Sequence, residues 1–139
     1  MLRNEERVVS VRKKMKKEKL DLLVLRLPEN LLALSDYWSM FGYTFLLLPI
    51  DGEPFLILGD CEAAEAAESA LGFKLITYSY GVLTSGNPYK RVKDLLKKEC
   101  RGQVVRRIGI EENFETVSPP WNTAEMMLPT AETRSEERR

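Results

Sequence analysis

The sequence contains no histidine, which removes the commonest general base and the commonest metal ligand together. A Ser-His or Cys-His nucleophile pair and a histidine-bearing metal centre are excluded, so any catalysis by this chain would rest on carboxylates alone. Surplus positive charge is missing too: 21 Lys and Arg residues meet 21 Asp and Glu residues, and nothing drives binding to a phosphate backbone. Cysteine is scarce. Cys61 and Cys100 stand in no ligand-like spacing and cannot build a disulfide framework, so reduced thiols in a cytoplasm are the expectation. The longest apolar run, Phe45 to Ile50, contains Pro49 and falls far below the ~20 residues of a membrane helix. The opening Leu2, Arg3, Asn4, Glu5 and Glu6 lack the basic-then-apolar order of a secretory signal. Neither nucleic acid nor membrane is expected as a partner.

What is present suits one globular domain: 139 residues suffice for a single layered core. Asn4 can cap a helix whose first turn holds Glu5 and Glu6 and whose end gathers Lys16 and Lys17, in agreement with the helix dipole. Val8, Val11 and Met15 form its buried stripe, with Arg12, Lys13 and Lys16 expected toward water. Asp21 to Leu25 is an unbroken apolar run of strand length, which predicts a central strand covered on both faces. Pro28, Glu29 and Asn30 read as punctuation, with only a short helical turn over Leu31 to Leu34. Thr44 to Ile50 and Phe55 to Leu58 flank Asp51-Gly52-Glu53-Pro54, the clearest hairpin, with the Asp-Gly pair supplying positive dihedral angles.

Asp60 can cap the next helix, which runs through the alanines to Leu71 and ends at a left-handed Gly72. Lys74 to Tyr80 reads as a strand, and Asn87-Pro88 starts a helix with a Val92, Leu95, Leu96 stripe. A short strand follows at Arg107 to Ile110, then a helix from Ser118 carrying Trp121, Ala124 and Met127, stopped by Pro129. The alternation of strands and helices predicts an α/β fold with a mixed β-sheet flanked by helices. Residues 1–132 form the expected domain, and residues 133–139 a polar tail or linker stump.

Four signals occur in a particular order: LDLLVLRLPENLLALSDY, FLLLPIDGEPFLIL, an Ala- and Glu-rich helix, and Ile108-Gly109-Ile110-Glu111, with Leu128-Pro129 near the end. In this order they resemble the creatinase and prolidase amino-terminal domain family, although Asp36 stands where that family usually has glycine. The resemblance covers nearly the whole chain. It implies a ribonuclease H-like domain joined, in full-length relatives, to a carboxy-terminal pita-bread domain that holds a two-metal hydrolytic centre and is absent from this chain. Relatives of the peptidase branch cleave Xaa-Pro bonds, with Mn, Co or Zn expected in that missing domain. The creatinase branch needs no metal, and a distant branch serves in histone chaperones, which leaves a stand-alone interaction module open. No cofactor is expected in this chain. The resemblance further implies a homodimer, in which this domain lends loop residues to its own or a neighbouring subunit's catalytic domain.

On that basis no catalytic residue and no metal ligand is assigned to this chain. The aromatic loop around Tyr37, Trp38 and Tyr43 supplies candidate dimer or substrate contacts, with packing at the sheet edge as the other reading. Arg26, at the end of the first strand, is a candidate for pairing with a substrate carboxylate, or simply a strand-end charge. Glu111, Glu112 and Glu115 with Asp21 would make an Mg²⁺-holding cluster if the fold gathered them, but fold analogy is a poor guide to function and exposed loop carboxylates are the favoured reading. The Gly81 to Gly86 loop has neither Walker nor GxGxxG order. The lysine-rich faces near Lys13 to Lys19 and Lys90 to Lys98 read as solvated surface.

Overall fold

The computed structural model describes residues 5–39, 44–79, 88–102 and 104–112. Five strands form one mixed sheet. They are β1 (Leu22–Leu25), β2 (Phe45–Pro49), β3 (Phe55–Gly59), β4 (Lys74–Tyr78) and β5 (Ile108–Ile110), lying side by side in the order β4-β3-β2-β1-β5. The helices are α1 (Glu5–Glu18), α2 (Pro28–Ser35), α3 (Ala63–Ser69), preceded by a 3₁₀ turn at Asp60–Glu62, and α4 (Pro88–Glu99).

Strand β2 runs antiparallel to both β1 and β3, whereas β5 lies parallel to β1 and β4 parallel to β3. The carboxyl ends of β1, β3, β4 and β5 and the start of β2 therefore share one end of the sheet. Alternation along each strand sorts side chains onto two faces. Leu25, Leu46, Leu48, Leu56 and Leu58 meet α1, α2 and α3 on the first face, and Leu22, Val24, Phe45, Leu47 and Ile57 meet α4 on the second. Leu46, Leu47 and Leu48 are each fully buried, contributing about 1.5–3 kcal/mol apiece. The β3-α3-β4 crossover covers the first face going outward and β4-α4-β5 returns over the second, so the two crossovers share one hand.

The expected interior strand, hairpin and helix order are thus observed, with local corrections. Helix α2 is longer than the expected single turn, because Pro28 occupies its first position, where a missing N–H costs nothing. At the hairpin tip only Gly52 takes a positive φ, of 105°, and Asp51 does not. Asp60 lies inside the 3₁₀ turn instead of capping by its side chain, and α3 ends at Ser69 before Gly72 adopts φ 86°. Arg12, expected toward water, reaches across to the hairpin and donates to the Pro49 carbonyl at 3.1 Å and to the Gly52 carbonyl. Helix α1 stops at Lys19 with φ 58°, a left-handed conformation more usual for glycine. The expected helix from Ser118, the Gly81 to Gly86 loop and the 133–139 tail lie outside the described residues.

Candidate functional site: the carboxyl end of the sheet

In open α/β sheets the crevice outside the carboxyl ends of the strands is the usual place for recognition. Two of the sequence motifs meet at that end. Strand β5 delivers Glu111, 8% exposed, to the start of α2. There its carboxylate accepts from the backbone N–H of Arg26 at 2.9 Å, from that of Leu27 at 3.0 Å and from the Asn30 amide at 2.8 Å. A helix beginning with Pro28 and lacking a side-chain cap at Leu27 leaves orphan donors at its start, and a carboxylate from 84 residues away supplies the acceptor that no local side chain does.

This arrangement corrects both readings of the acidic residues. Glu111 is an engaged anchor, not an exposed loop carboxylate. Asp21 sits at the opposite end of β1, roughly 13 Å along the strand, where it accepts from the N–H groups of Arg106 and Arg107 at 2.8 and 2.9 Å. These bonds lower its pKa below the usual 3.8. Glu112 is exposed and Glu115 lies outside the described residues. Asp21 and Glu111 therefore cannot share an ion, and with no histidine in the chain these residues do not fit a hydrolytic metal centre.

The candidate contact residues divide between the two faces. Arg26 continues the parity of Leu22 and Val24, is 6% exposed, and lies over the Phe45 ring at 5.9 Å from its centroid on the second face. Tyr37 belongs to the first-face core at 2% exposure. Its hydroxyl finds no partner of hydrogen-bond geometry among the described residues. Burial first, and the nearby Glu62 carboxylate second, raise its pKa far above the ordinary tyrosine value. Trp38, between buried Tyr37 and buried Ser39, is 46% exposed. Tyr43 lies outside the described residues. Arg26 and Tyr37 consequently do not line a common pocket within this chain.

Sequence reasoning missed a buried polar cluster beside Trp38. Ser39 Oγ lies 2.7 Å from Thr44 Oγ1, which lies 3.2 Å from a Glu62 carboxylate oxygen, and Ser39 Oγ is itself 3.3 and 3.4 Å from the two oxygens of that carboxylate. Glu62 is 2% exposed. Its place in an Ala- and Glu-rich stretch masked it, because neighbouring Glu65 and Glu68 are exposed and no local period separates one glutamate from another.

Comparison with known proteins follows the same lines. The model of the creatinase/prolidase N-terminal domain matches residues 7–128. A search of curated protein sequences found no match. Among solved structures the chain is similar to a proline dipeptidase from Streptococcus pneumoniae TIGR4, with TM-score 0.65 and 19% identity over 99% of this chain and 84% of that one. It is also similar to the creatinase/prolidase N-terminal domain of an X-Pro dipeptidase from Streptococcus pyogenes, with TM-score 0.63 and 19% identity over 87% of this chain and 82% of that one. The prolidase from Pyrococcus horikoshii OT3 aligns with TM-score 0.62 and 16% identity over 96% of this chain but only 29% of its own length. At these identities the likeness to solved structures is one of fold, while the family match spans most of the sequence. The chain belongs to the creatinase/prolidase N-terminal domain family.

Proposed function

We propose that this chain is the non-catalytic amino-terminal domain of a cytoplasmic Xaa-Pro metallopeptidase, contributing subunit contacts and pocket loops while a following domain carries the metal and the chemistry. The observation that carries the reading is Trp38: an indole left 46% exposed between two buried neighbours, at the end of the sheet where α/β domains meet their ligands. Exposed tryptophan on a firm base is the kind of side chain that anchors protein interfaces. Tyr43 is a further contact in the same segment as Trp38, whereas Arg26, buried over the Phe45 ring, is held within the chain. Residues 1–132 form the domain and 133–139 lead out of it.

Several of the similar structures are themselves peptidases or their N-terminal domains, including that of a cytoplasmic peptidase PepQ from Mycobacterium tuberculosis H37Rv, which supports both the activity of the parent and its compartment. The metal, Mn, Co or Zn, belongs in the following domain, since Asp21 and Glu111, the candidate ligands of this chain, lie at opposite ends of β1. No membrane partner is proposed, and among the described residues no helix is long and apolar enough to cross a membrane. No nucleic-acid partner is proposed either, given the balanced charge.

The test is hydrolysis of Xaa-Pro dipeptides by the 139-residue chain with Mn²⁺, Co²⁺ or Zn²⁺, beside the longest product of its gene. Metal-dependent activity in the longer product alone is expected. Activity in the short chain overturns the proposal. Metal-independent cleavage of a small amidine by the longer product points to the creatinase branch, and a longest product ending near Arg139 points to an interaction module.

A further inference from the structure

Placing a carboxylate at 2% exposure carries a large desolvation penalty, and an apolar side chain of equal volume would fill the position at less cost. What Glu62 does that an apolar residue cannot is join two chain segments. Ser39 follows Trp38, and Thr44 precedes β2. Each hydroxyl has one proton. A relay in which Ser39 donates to Thr44 at 2.7 Å and Thr44 donates to Glu62 at 3.2 Å uses both. On the other side of Trp38, Tyr37 is fixed in the first-face core and its N–H donates to Ser35 Oγ at 3.3 Å. Both neighbours of Trp38 are thus immobilised while its own ring faces outward.

We propose that Glu62 is a positioning residue: through Ser39 and Thr44 it fixes the backbone that presents the Trp38 indole to a neighbouring subunit. The proposal rests on the subunit-contact reading of Trp38, and it adds the residue that makes the contact preorganised. Ordering one or two side chains in advance is equivalent to about three- to tenfold in affinity.

The chain has two tryptophans, so a Trp121→Phe background leaves Trp38 as the sole indole reporter. Ser39→Ala and Thr44→Val each delete one hydroxyl without removing the carboxylate, and Thr44→Ser restores it. Acrylamide quenching of Trp38 is expected to rise and its fluorescence anisotropy to fall in Ser39→Ala and Thr44→Val, with far-UV circular dichroism unchanged and Thr44→Ser behaving as the parent. Self-association measured by sedimentation should weaken about three- to tenfold in the same two variants. Unchanged quenching in both folded variants overturns the positioning role. Greater Trp38 mobility with self-association lost in Trp38→Ala but not in the hydroxyl variants overturns the preorganisation. Greater mobility with self-association unmoved even in Trp38→Ala keeps the positioning role and sinks the subunit-contact reading instead. Should Thr44→Val unfold, Glu62→Gln, which retains shape and one acceptor, reports an intermediate rise in quenching if the relay holds Trp38 and none if it does not.

Discussion

Replacing Glu111 with alanine strips the acceptor from three donors at the start of α2. A buried donor left without a partner costs about 1–3 kcal/mol, and bonds to a charged acceptor lie at the upper end of the hydrogen-bond range. The Arg26 N–H is buried, while the Leu27 N–H and the Asn30 amide are only partly so, which lets water recover part of their loss. Counting one full loss and two halves gives a destabilisation of about 2–6 kcal/mol, centred near 4, a large share of the ~5–15 kcal/mol that holds an ordinary domain together. Glutamine should cost less, about 1–2 kcal/mol, since its oxygen still accepts from both N–H groups and Asn30 can turn its own oxygen toward the new amide. The assay is urea unfolding followed by circular dichroism. With a slope of about 2 kcal/mol/M, the alanine midpoint should fall by roughly 2 M at unchanged slope. A double-mutant cycle with Asn30→Ala should return a coupling of about 0.5–1 kcal/mol. An alanine variant within about 0.5 kcal/mol of the parent would refute the claim that β5 caps α2.

Three further outcomes follow from the same contacts. Lys19→Gly should stabilise the chain by about 0.5–1 kcal/mol in the same urea assay, because φ 58° suits glycine and strains any side chain. Arg12→Ala should cost about 1–2 kcal/mol by releasing the two carbonyls of the hairpin, where a merely solvated arginine would cost nothing measurable. Asp21 has a folded pKa below its unfolded value of about 3.8, so its contribution is complete above that value and is lost as pH falls through the lower folded value. Acid titration of Asp21→Asn beside the parent should show that limb diminished, and superimposable acid limbs would contradict it.

Much of the fold was legible because it is written in local periods. The apolar run Leu22–Leu25, the paired runs around Gly52 and the Leu95, Leu96 stripe each announce their element within a few residues. The polar connections were not legible, since their partners are separated by 18 to 86 residues and no periodicity links them. Glu111 looked like loop charge, Glu62 like one of several helix-surface glutamates, and Arg12 like one more cation on a basic helix. Pro28 was misread for a different reason: the same residue that breaks a helix interior starts a helix well, and only the donors gathered by Glu111 show which role it has. Of the candidate site, the aromatic segment was found from composition, but the division of Arg26 and Tyr37 onto opposite faces follows from strand parity and from Phe45 lying under the guanidinium.

The pairing of β5 with β1 also has a consequence for how the chain is made. Residues 26, 27 and 30 leave the ribosome long before residue 111, and at ~5–20 residues per second the interval is roughly 4–17 s. During it α2 lacks the Glu111 acceptor for the N–H groups at its amino end, and β1 can pair with β2 on one side only. The β1-β2-β3-β4 portion can collect its neighbours in sequence order, whereas the last strand must return to the first to finish the sheet. A nascent chain paused before Ile108 would therefore hold an open strand edge beside an uncapped helix, the state in which this domain is most exposed to chaperones and to mispairing.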